Sequence, residues 1–171
     1  ETWLCAAYYV LLNSDDVKAN LFLNQAISCN KRFVNAYLLR GHLQQKSENA
    51  VLAILPYKKV LEIEKNNMEA LNGLVECYIR DNQRKEALMV AMQAQKLHPN
   101  KAQPILMECL CYSHLGDKKL EAVEAKHRRA LSLEPNNAKV VLKVAEFLIK
   151  CKKSDESLLI MKNLFESRSL E

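Results

Sequence analysis

The sequence has few of the residues that interrupt helices, with only three glycines and four prolines among its 171 residues. A β-sandwich or a disordered tail contains many more turn-forming residues, so this composition argues against both. Aromatic residues make up only 6% of the chain, whereas the abundant alanine, leucine, lysine and glutamate are good helix formers. We therefore predict an all-α fold with a substantial apolar core, because a chain of this length can bury one.

Long apolar runs are also missing. A membrane-spanning helix needs about 20 consecutive apolar residues, so we expect no membrane contact and no signal peptide. The six cysteines lie inside helical patterns, where a free cysteine behaves as a small hydrophobic residue. We expect a soluble protein of a reducing compartment. Because the first residue is Glu1 and not Met, we also expect the chain to be part of a longer protein.

The positive charge is not concentrated in one place. The chain has 25 Lys and Arg against 20 Asp and Glu, a formal net charge of +5. Nucleic-acid binders usually gather basic residues on one face or in one arm. Here short clusters, such as Lys58 with Lys59 and Lys118 with Lys119, fall on predicted outer helices or connections. We interpret them as solvated surface and predict no nucleic-acid partner.

The main signal is an internal period of 34 residues. Large residues recur at this spacing early in the repeats, at Trp3, Tyr37, Leu71 and Ile105. Two rows of smaller residues follow later in the repeats: Ala19, Ala53 and Ala87, and then Ala26, Val60 and Ala94. Within the third unit, Leu71, Leu74, Val75 and Tyr78 share one face of a predicted helix. The small residues let a second helix pack closely against the first.

These rows resemble the tetratricopeptide (TPR) family, whose unit is a helix–turn–helix of about 34 residues. The resemblance implies an all-α TPR superhelix, an α-solenoid of about five repeats in which each pair covers an apolar face of the previous one. We expect a single array with repeats near residues 1–33, 34–67, 68–101, 102–137 and 138–171.

Several local features refine this expectation. Polar residues of the inner turns are predicted N-caps for the second helix of each repeat: Ser14, Ser47, Asp81, Asp117 and Ser154. Pro56 is expected to kink a helix of the second repeat. Two extra residues enter the fourth repeat near residues 116–119. The fifth repeat has Ser157 and Leu164 where alanine is usual, so we expect a weaker or terminal unit.

Four segments give a closer resemblance. The similarity is to the C-terminal half of the subunit-seven family of the anaphase-promoting complex, and it lies in residues 34–41, 73–78, 84–91 and 138–146. Another repeat subunit of the same complex is the alternative match. The resemblance implies a scaffold in a ubiquitin ligase that controls mitosis, located in nucleus and cytoplasm. It implies no cofactor. The expected partners are other subunits of the complex and activator tails ending in Ile-Arg. The full-length family members form homodimers through N-terminal repeats, so we expect this chain alone to be monomeric.

The candidate binding residues lie on the first helices, which line the concave face in such arrays. Glu69, Asn72 and Glu76 are predicted to accept hydrogen bonds from an arginine. An apolar set on the fourth repeat is predicted to take a neighbouring Ile or Leu. The full set of peptide-groove candidates is Asn35, His42, Glu69, Asn72, Glu76, Met107 and Leu110. The alternative is that the three polar residues are solvated groove residues without a ligand.

Catalytic and metal chemistry find little support. Cys109 and Cys111, near His114 and His127, have the composition of a zinc site, but two residues apart on a helix they point about 200° away from each other. No glycine-rich oxyanion or phosphate loop is present. We therefore predict no enzyme activity. The Lys and Asn positions of a chaperone-tail clamp are occupied by Leu4, Tyr8 and Leu39. Two alternative functions are not excluded by the sequence. One is a generic TPR adaptor of another assembly, and the other is an enzyme whose catalytic domain lies outside this chain.

Overall fold

The structure is a computed structural model that describes residues 2–13, 15–46, 50–113 and 120–168. Within these ranges the chain contains ten α-helices, one short 3-10 helix (Ala50–Ala53) and no strand. The α-helices are α1 (Thr2–Leu12), α2 (Asp16–Cys29), α3 (Val34–Lys46), α4 (Ile54–Ile63), α5 (Met68–Arg80), α6 (Arg84–Leu97), α7 (Ala102–Ser113), α8 (Leu120–Leu133), α9 (Ala138–Lys150) and α10 (Ser154–Arg168). The predicted all-α fold class is confirmed.

The helices belong to two compact units, Glu1–Val90 and Ala91–Glu171, whose boundary falls within α6. In the first unit α1 packs against α2, α3 against α4, and α3 also contacts α5. In the second unit α7 packs against α8, α9 against α10, and α7 also contacts α9. Within each unit, therefore, a helix pair packs on the next pair through its first helix, which is how nearest-neighbour stacking buries apolar surface in a repeat protein.

Alanine fills the tightest positions of the helix pairs. Ala19, Ala53 and Ala87 are fully buried, as are Val60 and Ala94, and Ala26 is 3% exposed. A methyl side chain lets helix backbones approach closely where a larger one would separate them. In the first unit the core also contains Leu23, Leu39 and Leu43. In the second unit it contains Ile105, Val140 and Val144.

The helix ends differ from the predicted caps. Asp81 does not begin a helix but ends α5, and Ser154 is already the first residue of α10. Asn82 and Lys152 adopt left-handed φ values of 59° and 61° in these two turns, a conformation that ends helices and lets the next amides bond back to the last carbonyls. Side-chain N-caps instead come from Asp15, Asn67 and Asn137, which accept from the backbone of α2, α5 and α9.

The prediction of a mid-helix kink at Pro56 is wrong. The 3-10 helix precedes α4, which begins at Ile54, so Pro56 lies in the first turn of α4. The first backbone N–H groups of a helix have no partner inside the helix, so a proline there loses no hydrogen bond. Ser157 is 1% exposed and its hydroxyl donates to the Ala145 carbonyl at 3.3 Å. It therefore takes the small-residue position of its pair.

The other predicted caps, Ser14, Ser47 and Asp117, and the insertion at residues 116–119 lie outside the described residues. Among the helices that are described, none combines the length and the apolar character needed to cross a bilayer.

Candidate functional site

The candidate site is the surface that α3 and α5 form together in the first unit, called here the α3–α5 face. Tyr57 of α4 sets the spacing of these two helices, because its ring is fully buried and lies against a glycine of each. A Cβ atom at Gly41 of α3 would lie 2.6 Å from Tyr57 Cε1, and one at Gly73 of α5 would lie 2.4 Å from Tyr57 Cζ. Ordinary carbon contacts are about 3.5–4.0 Å. Only glycine therefore fits at both positions.

A chain of hydrogen bonds runs from this ring to the surface. The Tyr57 hydroxyl donates to Gln45 Oε1 at 2.8 Å, and Gln45 Nε2 donates to Glu76 Oε2 at 2.5 Å. Burial raises the pKa of Tyr57 above its ordinary range, so the hydroxyl remains a donor. Arg80 on α5 donates to the Gln45 carbonyl on α3 at 2.6 Å. The two helices are thus joined by side chains as well as by packing.

Glu76 is the centre of the polar network. Its Oε1 accepts from Asn72 Nδ2 at 2.9 Å, and its Oε2 accepts from Gln45. Glu76 is half-buried. An ionised carboxylate has about four acceptor positions, so two remain after these bonds. Asn72 and Gln45 therefore orient Glu76 and leave it able to accept from a further donor.

The other predicted polar residues of the first unit lie on the same pair of helices. His42 Nε2 on α3 is 3.1 Å from Glu69 Oε1 on α5, and both side chains are about half exposed. The His42 ring is tilted against Tyr57, with centroids 5.9 Å apart. Asn35 is exposed in the first turn of α3. His42, Glu69, Asn72 and Glu76 are thus brought onto one face.

Met107 and Leu110 belong to the second unit, on α7. Met107 is only 2% exposed and belongs to a stretch of this helix, residues 104–109, in which every side chain is buried. Its side chain fills the interior and is not presented to a ligand. Leu110 is 37% exposed at the surface of that unit.

Sequence reasoning missed Gln45, Tyr57 and Arg80. Their contacts join residues 12, 31 and 35 positions apart, and no single helical pattern reports such pairs. The available signal was a glycine inside each of two predicted helices, Gly41 and Gly73. A glycine costs about 1 kcal/mol relative to alanine at such a position, so it usually marks a close approach.

The buried thiols have no reactive character. Burial raises the pKa of Cys77 and Cys111 to about 11 and that of Cys109 to about 12, so all three are protonated at neutral pH. His127 is buried and stacks on Phe147 with centroids 4.0 Å apart, and His114 lies outside the described residues. In the part of the chain that the structure describes, no three His, Cys, Asp or Glu residues are grouped to hold a metal ion.

The chain is similar to subunits of the anaphase-promoting complex in sequence and to a TPR protein in structure. No protein-family model matches the chain. Anaphase-promoting complex subunit 7 of Mus musculus is 24% identical over 170 residues, covering 99% of this chain and 30% of that protein. Anaphase-promoting complex subunit 3 of Schizosaccharomyces pombe is 23% identical over 164 residues, covering 96% and 24%. The crystal structure of a thermophilic TPR protein of Thermus thermophilus matches with a TM-score of 0.74 and 20% identity, covering 96% of this chain and 89% of that one.

These similarities confirm the TPR fold and the resemblance to repeat subunits of the anaphase-promoting complex. The chain spans about 30% of the length of the subunit-7 relative that it matches.

Proposed function

We propose that the chain is a non-catalytic scaffold that binds neighbouring subunits in an anaphase-promoting complex and thereby acts in ubiquitin-dependent control of mitosis. The observation that carries the proposal is the similarity to subunit 7, which extends over 99% of this chain. A match of that length includes every helix pair, not one short motif. TPR proteins work by presenting extended surfaces to partners, which is the role of a scaffold.

The proposal also covers the cellular location and the oligomeric state of the protein. The protein acts in the nucleus and the cytoplasm, and the longer protein forms a homodimer, while this part of it alone is monomeric. In this proposal the dimer contacts belong to N-terminal repeats outside the chain, as the family resemblance implies, and the chain itself spans about 30% of subunit 7.

The α3–α5 face is the proposed binding surface, and its chemistry favours a cationic group. Glu69 and Glu76 place two carboxylates about two turns apart on the same side of α5, and Glu76 is oriented before any ligand arrives. Preorganised acceptors bind a guanidinium without having to order their own side chains first. Arginine donates in a planar fork that matches a carboxylate. The face therefore fits the arginine of an Ile-Arg tail.

Purification of the tagged chain from mitotic cell extract, followed by mass spectrometry, tests the scaffold role. Subunits of the anaphase-promoting complex should co-purify with the wild type and equally with Lys85→Glu, an exposed charge-reversed variant outside the α3–α5 face, while the tag alone measures non-specific capture. Recovery of another assembly in their place would favour the second candidate.

That second candidate is a TPR adaptor of a different multiprotein assembly. The T. thermophilus protein has the same fold at 20% identity, so the helix pairs by themselves do not specify one complex.

A further inference from the structure

A second concave surface lies in the first unit and shares no residue with the α3–α5 face. It is a cavity of about 650 Å³ formed by the end of α2, the turn between α2 and α3, the start of α3 and the end of α4. It is lined by Asn24, Ile27, Ser28, Lys31, Arg32, Tyr37, Lys59, Glu62 and Ile63. Cavities of about 300–1,000 Å³ are of the size that holds a ligand or a short peptide segment. We call it the α2–α4 cavity.

The lining combines apolar surface with positive charge. Ile27, Tyr37 and Ile63 supply the apolar part and are only partly buried. Three basic side chains and a single acidic one complete the wall. Lys59 is neutralised by that acid, since its Nζ lies 2.6 Å from Glu62 Oε2.

The two remaining cations, Lys31 and Arg32, are exposed, and the described part of the chain offers neither of them a carboxylate within 4.0 Å. Their backbone is nevertheless fixed. The Arg32 amide donates to Asn30 Oδ1 at 2.9 Å, and the Tyr37 hydroxyl donates to the Lys31 carbonyl at 3.3 Å. The turn therefore holds two uncompensated positive charges at the edge of an apolar cavity.

We propose that the α2–α4 cavity binds an acidic segment of a partner protein that also carries a bulky apolar side chain. The apolar side chain packs against Ile27 and Ile63, which removes apolar area from water. The carboxylates of the segment pair with Lys31 and Arg32, which provides the charge complementarity that steers and orients a partner. The phosphates of a nucleic acid would pair with the two cations but would leave the apolar wall exposed to water. A protein segment is therefore the better fit.

The repeat structure provides a matched control. Lys31 and Lys65 are 34 residues apart and occupy the same position in successive turns, and both are exposed. Lys31 lines the α2–α4 cavity. Lys65 instead lines a separate cavity with Glu64, Asn66 and Asn67, where one acidic residue stands beside one basic residue and no positive charge is in excess. Lys31→Glu and Lys65→Glu make the same change in net charge, and only the first alters the cavity.

Fluorescence anisotropy of a short labelled peptide in which leucines alternate with glutamates tests the proposal. The peptide should bind the wild-type chain, and Lys31→Glu should weaken binding about tenfold while Lys65→Glu changes it less than about twofold. Arg32→Gln, which removes one charge without adding another, should weaken binding in the same direction. Replacing the peptide leucines with glycines should also weaken it. Circular dichroism of each variant confirms that the helices are retained.

Three results would overturn the proposal. The first is no binding of the peptide to the wild type up to about 1 mM. The second is equal weakening by Lys31→Glu and Lys65→Glu, which would mean that only net charge matters. The third is tighter binding of a single-stranded DNA of matched charge with the same sensitivity to Lys31→Glu, which would assign the cavity to nucleic acid. None of these outcomes depends on whether the chain joins an anaphase-promoting complex.

Discussion

Alanine at position 73 should destabilise the first unit, although the same change stabilises most helices. At an ordinary position inside a helix, replacing glycine by alanine gains about 1 kcal/mol. At Gly73 the new methyl would lie 2.4, 2.6 and 2.7 Å from three atoms of the Tyr57 ring. The ring cannot retreat towards α3, because it already lies against Gly41, where a Cβ atom would be 2.6 Å from Cε1.

The magnitude follows from these contacts. Overpacking a core by one methyl costs about 1–3 kcal/mol, and displacing the Tyr57 hydroxyl from Gln45 adds about 1 kcal/mol. After the helix-propensity gain is subtracted, we expect a net loss of about 2 kcal/mol. In a unit of this size that corresponds to a fall in Tm of roughly 10 °C.

Trp3 provides the assay, since it is the only tryptophan and it stacks on Phe22 within the first unit. Urea unfolding followed by its fluorescence should show a lower midpoint for Gly73→Ala. In a Tyr57→Leu background the ring is gone, and the same change should become neutral or stabilising, a double-mutant cycle that isolates the contact. A midpoint that is unchanged or raised in the Tyr57 background would refute this account of the α3–α5 spacing.

Three further predictions concern other parts of the chain. Ala87→Leu should cost about 1–3 kcal/mol by overpacking, because Ala87 is fully buried; an unchanged melting temperature would contradict this packing. Burial lowers the pKa of His127, so the folded chain holds it neutral while the unfolded chain protonates it near pH 6.5. Stability is therefore lost as pH falls below that value, and urea midpoints at about pH 7.5 and 5.5 should fall further for the wild type than for His127→Gln. Exposed Cys5 and Cys29 should react with iodoacetamide before buried Cys77, Cys109 and Cys111, and equal rates by mass spectrometry would show that the core opens readily.

The helix pairs were the most predictable part of the fold. The first helices of the second to fifth pairs begin at Val34, Met68, Ala102 and Ala138. The sequence period predicts these starts because each helix pair repeats the same packing. The alanine rows were readable for the same reason. A small buried side chain is needed wherever two helices approach closely, so buried alanines recur at the 34-residue spacing at positions 19, 53 and 87.

The helix ends were less predictable. Asp81 has the chemistry of an N-cap, yet it ends α5, because the left-handed turn at Asn82 separates it from the next helix. Cap preference alone does not say to which side of a turn a polar residue belongs. Pro56 was misread for a related reason, since the 3-10 helix before α4 moved the helix start to within two residues of it.

For the candidate site, the sequence indicated that three of the polar residues share a location, but not how they are arranged. Glu69, Asn72 and Glu76 share a helical face at three- and four-residue spacing, so their common location follows from the sequence. That Gln45 and Asn72 hold Glu76 depends on how α3 lies against α5, which Tyr57 and two glycines determine. The burial of Met107 likewise depends on how many neighbours surround α7, and the spacing of residues along one helix does not contain that information.

We propose that the chain binds proteins through hydrogen-bond acceptors that are already oriented on the α3–α5 face. Calorimetric titration with a peptide ending in Ile-Arg tests it most directly, with Glu76→Gln as the variant and Glu62→Gln on α4 as the control for the same charge change. We expect the wild type and Glu62→Gln to bind the peptide, and Glu76→Gln to lose about tenfold or more in affinity. No binding by the wild type, or equal affinity for both variants, would contradict it.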